Sequence, residues 1–254
     1  LWFHQYEEVG GDAIDFVRRF YNKDYPEAME YLLGGCVGTL MVSPPVQRNP
    51  KVPFELPEKN DNMRRVFAYL LNRRGIDRYV LYAFAHKGLI YESADYHNVV
   101  FVGTDASGTP KFASMRGVFD RNGKSFKCDV EGNDKQYGFH LHREACIEIV
   151  VFEASIDLLS YMTIYPDKQC DLLALGMVAD VPLDRYLKDY PAIRKISFCL
   201  DNDEPGQKAE QQMMEKYKGL GYLVSGGIVP SQYKDVNEWL VSERKSKMLS
   251  NPIE

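Results

Sequence analysis

The chain has 254 residues, 45% hydrophobic and 26% charged, with a formal net charge of −5. This is an ordinary globular composition, enough for one large domain or two modest ones. No apolar run approaches the roughly 20 residues of a membrane-spanning helix, the start LWFHQYEEVGGDA is not a signal peptide, and the acidic balance argues against a protein coated in nucleic acid while allowing a local basic channel.

A cytoplasmic location is therefore expected, and the missing initiator Met suggests a fragment of a longer protein. The cysteines, Cys36, Cys128, Cys146, Cys170 and Cys199, are odd in number, widely spaced and without a C-x-x-C pair. This argues against a zinc site and a disulfide framework. Cys146 and Cys199 lie in apolar runs and read as buried small hydrophobes.

In chain order, residues 12–34 predict two helices broken near Tyr25–Pro26. Ile14, Val17 and Phe20 keep helical spacing, as do Ala28, Tyr31 and Leu32, and Gly34–Gly35 ends the second. Residues 36–60 carry Pro44, Pro45, Pro50, Pro53 and Pro57, a density that favours an extended linker. A helical pattern returns over 61–80 and breaks at Gly75-Ile76-Asp77. Strands follow in LIYES and NVVFVGTDASGTPKFASMRGVF, with Asp105–Gly108 as a hairpin loop. Residues 121–135 are polar and read as a turn or loop.

From about Cys146 the rhythm alternates. Strands are expected at CIEIVVFE, DLLALG, KISFCL and YLVSGGIV, with helices at about 155–165, in PLDRYLKDY, in EPGQKAEQQMMEKYKGLG and in DVNEWLVSERK. Such alternation predicts a parallel sheet flanked by helices. Two of these strands stop at acids: VVFEASIDLLS at Glu153, with Asp157 following, and ISFCLDNDEPGQKA at Asp201 and Asp203. Functional groups collect beyond the carboxyl ends of parallel strands. Clustered carboxylates repel one another unless a hard cation neutralises them, and Mg²⁺ takes a few carboxylates plus water and phosphate oxygens. The pattern predicts a metal-dependent site for phosphate chemistry. Capping is the competing reading for Asp203, and a structural acceptor is an equal reading for Asp157. His140 and His142 in GFHLH have no third ligand spaced nearby and read as structural.

These segments resemble the Toprim domain shared by bacterial primases, topoisomerases and some nucleases. Glu153 and Asp157 match its first motif, with Ala154 where the family usually has Gly. Asp201, Asp203 and Gly206 match its D-x-D-x-x-G, and the surrounding residues look most like the primase branch. LLALG with Gly176, and PSQYKDVNEWL with Lys234 and Asp235, resemble further motifs. Upstream, YLLNRRGIDRYVLYAFAHKGLIYES and NVVFVGTDASGTPKFASMRG are similar to the domain of unknown function that precedes Toprim in primase-like proteins of plasmids and conjugative elements, such as conjugative transposons. WFHQYEEVGGDAIDFVRRFY resembles the end of a truncated primase zinc-binding domain, so no zinc is expected here.

The resemblance implies a Toprim-type parallel sheet flanked by helices, preceded by a smaller mixed α+β subdomain. The expected divisions are 1–35, a remnant of the zinc-binding domain; 36–60, linker; 61–139, a primase-like subdomain; 140–243, Toprim; and 244–254, tail. It also implies Glu153 as general acid or base and as a metal ligand with Asp201 and Asp203, using Mg²⁺ or Mn²⁺. Asp157, Gly206, Lys234 and Asp235 would support them. Arg116, Lys111, Arg74 and Arg78 are candidate contacts to nucleic acid or nucleotide; a solvated helix face explains Arg74 and Arg78 equally well.

The expected function is Mg²⁺-dependent primer synthesis on single-stranded DNA from nucleoside triphosphates, in replication or transfer of a mobile element, with a helicase or relaxase of that element as partner. A Toprim nuclease and a non-catalytic DNA-binding module remain open.

Overall fold

The computed structural model describes residues 2–4, 9–32, 52–121, 124–177 and 179–250. The expected Gly34–Gly35 helix end, the prolines up to Pro50, Cys36 and the last four residues lie outside them. The chain divides into two compact units, Leu1–Pro50 and Lys51–Glu254.

In the first unit, β1 (Trp2–His4) and β2 (Val9–Gly11) pair antiparallel, followed by α1 (Ala13–Phe20) and α2 (Tyr25–Leu32). Asp12 caps α1, accepting from the Ile14 and Asp15 N–H groups at 2.8 and 3.0 Å. The helices part before Tyr25, so Pro26 falls in the first turn of α2, where a missing N–H costs nothing.

The second unit begins with residues 52–60 stitched along a sheet. Phe54 and Leu56 pack on Tyr91, Val100, Val102 and Ala113. The Tyr91 hydroxyl donates to Pro57 O at 2.7 Å, and Lys59 bridges to Ser93. This part of the proline-rich stretch is thus bound along its length.

Then come α3 (Arg64–Ala68), a π-helical turn over Tyr69–Arg73, and α4 (Arg78–His86). Sequence periodicity did not announce α4. It is capped by Asp77, whose carboxylate accepts from Tyr79 N–H at 2.8 Å. An antiparallel sheet follows in the order β3 (Ile90–Glu92), β4 (Val99–Thr104), β5 (Pro110–Arg121) and β6 (Lys124–Asp129). The segment expected as a loop over 121–135 thus contains a strand, β6, set opposite β5 with Arg116 facing Lys127. Its polar residues suit an edge strand, which has one face to solvent.

The main sheet has the order β11-β10-β8-β9-β7. Its strands are β7 (Phe139–Leu141), β8 (Glu148–Phe152), β9 (Asp171–Ala174), β10 (Lys195–Cys199) and β11 (Leu223–Ser225). All pairings are parallel except β7 with β9. Helices α5 (Ser155–Ile164), α6 (Val181–Asp189), α7 (Glu204–Gly219) and α8 (Val236–Ser250) cover it.

The apolar runs of the parallel strands feed two cores by strict alternation. Val150 and Phe152 join a cluster with Leu158, Leu159, Val236, Leu240 and, from the antiparallel sheet, Val99 and Phe101. Ile149, Val151, Ile196 and Phe198 join Leu183, Tyr186, Met213 and Tyr217 on the other face. This is why these strands read as continuous hydrophobic runs.

His140 is buried and lies 3.0 Å from Gly138 O, and His142 pairs with the buried Asp171 at 2.9 Å while stacking on Tyr190. Both are structural. Cys199 is buried and Cys146 partly so.

One buried carboxylate ties the antiparallel sheet to α3. Glu92, 1% exposed, accepts from the Arg65 and Val66 N–H groups at 3.1 and 3.2 Å and from Asn60 Nδ2 at 3.0 Å, and pairs with His97 Nδ1 at 2.8 Å. Glu92→Ala leaves two helix-terminal donors buried without acceptors, at about 1–3 kcal/mol each. Urea unfolding should show a loss of about 2–5 kcal/mol; a loss below about 0.5 kcal/mol, the range of ordinary surface changes, would mean that water replaces the carboxylate.

Candidate functional site

The site grows out of strand register. Phe152 at the end of β8 lies opposite Cys199 at the end of β10. The next residues, Glu153 on one strand and Leu200-Asp201 on the other, therefore leave the sheet side by side.

Glu153 is fixed through its backbone: Gly176 N–H donates to Glu153 O at 2.9 Å. Gly176 has φ +76°, a left-handed value that favours glycine. Ala154 has φ −121° and ψ 154°, which any residue adopts, so the absent family glycine costs nothing here.

Asp203 caps α7, accepting from Gly206 N–H at 3.1 Å. A Cβ on Gly206 would stand 2.2 Å from Asp201 O, so only glycine lets the helix approach this turn. Asn202, between the two aspartates, clamps the turn to the segment that carries Lys234. Its N–H donates to Lys234 O at 2.7 Å, and its side-chain amide donates to Tyr233 O at 2.8 Å. Sequence reasoning passed over Asn202; a polar residue between two site acids was the available signal.

Lys234 reaches back to both aspartates, with Nζ 3.5 Å from Asp201 and 3.3 Å from Asp203. Hydrogen bonding to Asp203 is the largest influence holding its ammonium above the usual lysine value. Asp235 accepts from Glu238 N–H at 2.7 Å and so caps α8. Asp157 is buried and accepts from Asn237 N–H at 3.1 Å.

Electrostatics confirm that the acids sense one another. Burial first, and then the charges of Asp201 and Asp203, raise the Glu153 carboxyl above its ordinary range, while Lys127 and Lys234 oppose this. Burial, then Asp235, raises Asp201. Burial, then Asp235 and Asp201, raises Asp157 strongly.

This all-oxygen, charge-crowded donor set is chemically suited to a hard divalent ion, and the lysine ammonium between Asp201 and Asp203 acts as a stand-in cation. The expected convergence of Glu153, Asp201 and Asp203 on one point is not what the structure holds. Among the described residues, no three His, Cys, Asp or Glu side chains close on a common centre. The carboxylates repel, and a single ammonium gathers only two of them.

A basic pair lies on the antiparallel sheet beside the Glu153 end of this site. Arg116 and Lys127, cross-strand neighbours on β5 and β6, line a small cleft of about 40 Å³ with Ala154, Ser155 and Ile156 at the start of α5. Arg116 Nε is buried there without a hydrogen-bond partner. Lys127 is close enough for its charge to act on Glu153.

The other basic candidates lie elsewhere. Lys111 pairs with Asp105 of the hairpin at 3.6 Å. Arg74 is tied inward, donating to the Tyr69 hydroxyl at 2.8 Å and to Asn237 Oδ1 at 3.1 Å. Arg78 is exposed in the first turn of α4.

Residues 150–240, which hold most of this sheet and the acids beyond its strands, match the family model described as Toprim-like. Residues 68–145 match the model described as a protein of unknown function, DUF3991, so this chain carries a DUF3991 segment followed by a Toprim-like domain.

The chain is 28% identical over 219 residues to uncharacterized protein pXO2-78 of Bacillus anthracis, covering 81% of this chain and 63% of the relative. Among solved structures, the primase fragment of the bacteriophage T7 primase-helicase protein is similar, with a TM-score of 0.51 and 18% identity over 71% of this chain and 72% of the other. The DnaG primase catalytic domain bound to single-stranded DNA is similar with a TM-score of 0.50 and 14% identity, over 76% and 75%. These likenesses show a fold that this chain shares with those primase domains. Among the described residues, no helix is long and apolar enough to cross a membrane.

The buried Asp157 sets a pH dependence. Its raised carboxyl keeps a proton that the unfolded chain releases above about pH 4, so its contribution to stability falls as pH rises through the folded value. Asp157→Asn keeps the acceptor for Asn237 N–H and removes the charge. Urea midpoints of variant and wild type should coincide near about pH 4 and separate in favour of the variant toward about pH 8. A separation that does not change with pH would show that the Asp157 proton is not involved.

Proposed function

We propose that this chain is the catalytic part of a primase-like nucleotidyltransferase, dependent on Mg²⁺ or Mn²⁺, that builds a primer on single-stranded DNA. The observation that carries the reading is the crowding of Glu153 and Asp201 beyond adjacent parallel strands, with Asp203 beside them and with Lys127, the cross-strand neighbour of Arg116, close enough for its charge to act on Glu153. Nucleotidyl transfer needs negative charge neutralised and phosphates aligned.

Asp201 and Asp203 would hold the divalent ion, which when bound supplies that neutralisation. Glu153, held half-buried with its proton affinity raised, takes the proton from the attacking hydroxyl. The Arg116 guanidinium offers paired donors to a phosphate, and Lys127 adds a point charge beside it. Gly206, Asp157, Asn202 and Asp235 keep the acids in place.

The DnaG primase catalytic domain bound to single-stranded DNA supports single-stranded DNA as template; nucleoside triphosphates are the co-substrates that primer synthesis requires. The proposed setting is replication or transfer of a mobile genetic element in the cytoplasm, with a helicase or relaxase of that element as partner; the pXO2 designation of the Bacillus anthracis relative supports the element alone.

The test is incubation of the full-length protein with single-stranded DNA, labelled nucleotides and Mg²⁺ or Mn²⁺. Extended products support the reading; shortened template without extension would assign a nuclease instead. Asp201→Asn should lower primer synthesis by about two orders of magnitude or more, a loss of about 2.7 kcal/mol of transition-state stabilisation, and leave DNA binding near the wild-type level. Arg116→Ala should weaken binding and flatten its salt dependence by about one phosphate contact. Small, equal effects of both substitutions would place the chemistry elsewhere.

A further inference from the structure

We propose that Lys234 is an exchangeable counter-ion, whose ammonium holds Asp201 and Asp203 in the metal-free protein and must leave for a divalent cation to bind. The inference rests on the reading of these aspartates as the metal site.

Three observations carry it. First, the Lys234 Nζ stands between the two carboxylates at 3.5 and 3.3 Å. Good charge-assisted N–H···O bonds are about 2.7–2.9 Å, so both contacts are loose. A divalent ion would draw the same oxygens to about 2.1 Å, which leaves no room for the ammonium between them.

Second, the residue is built to let go. Its main chain is pinned, the carbonyl accepting from Asn202 N–H at 2.7 Å and the N–H donating to Glu238 Oε2 at 2.6 Å. Its side chain is 58% exposed and ends in a single mobile charge. Swinging that charge into solvent breaks no backbone contact.

Third, one positive charge does not balance its surroundings. The charges of Asp203 and Asp235 act on Asp201 together with that of Lys234, and the charges of Asp201 and Asp203 act on Glu153. A dication answers this crowd better than a monocation at the same distance. The exchange therefore keeps the turn assembled before loading and frees an ammonium at the cleft afterwards.

The experiment is calorimetric titration of the full chain with Mn²⁺, without substrate, comparing wild type, Lys234→Met and Lys234→Arg. Removing the competing charge should tighten Mn²⁺ binding by about 3- to 30-fold, the range expected for releasing two exposed ion pairs. Lys234→Arg retains a cation and should bind Mn²⁺ no more tightly than wild type. Met at this exposed position leaves the main-chain bonds intact, and the Arg variant reports on exchange even if Met disturbs the turn.

Equal or weaker binding by Lys234→Met, with the wild type binding normally, overturns the exchange while leaving the metal site standing. No heat from any of the three proteins overturns the metal site and the exchange with it. Wild-type heat that survives Asp201→Asn puts the ion elsewhere and also overturns the proposal.

Discussion

Repulsion among carboxylates is the constraint on which this structure turns. Glu153, Asp157, Asp201, Asp203 and Asp235 are assembled near one end of a single sheet, and burial together with neighbouring charge raises the proton affinity of the first three named above ordinary values. Nothing in that arrangement favours folding by itself. The surrounding scaffold holds it through strand register, the Asn202 clamp, the Gly206 approach and the hydrogen bond from Asn237. Strain of this kind concentrated at one place is what functional sites impose on a fold.

The basic pair comes from a different kind of sheet. The acids sit on loops leaving parallel strands, whereas Arg116 and Lys127 are paired across antiparallel strands. A cross-strand pair fixes two side chains on the same face. Both groups are therefore positioned by rigid backbone ladders.

Strands β8, β9 and β10 were legible in the sequence because they are buried on both faces, whereas the short antiparallel strand β7 was not announced. Each apolar run of about five residues ended at a chemically distinctive residue, and helices punctuated by Pro205 and Gly219 separated the runs. The acids of the site were legible for the same reason. What stayed hidden was set by tertiary contact. Strand β6, with Ser125, Lys127 and Asp129, has no apolar alternation to announce it and exists by pairing with β5. Arg74 and Arg78 are four residues apart, but Arg74 ends a π-helical turn and the break at Gly75 sets it apart from Arg78, so one points inward and the other lies at the surface. The lysine lodged between two aspartates was also invisible to spacing, because it depends on a loop returning from more than thirty residues away.

The cluster that packs under the cleft contains Val150 and Phe152 from the main sheet and Val99, Phe101 and Val118 from the antiparallel one. The two sheets thus share a single hydrophobic core. Close-packed interiors resist opening because every void forfeits contact on both sides. Opening the cleft that Arg116 and Lys127 line would therefore cost the protein part of its own interior.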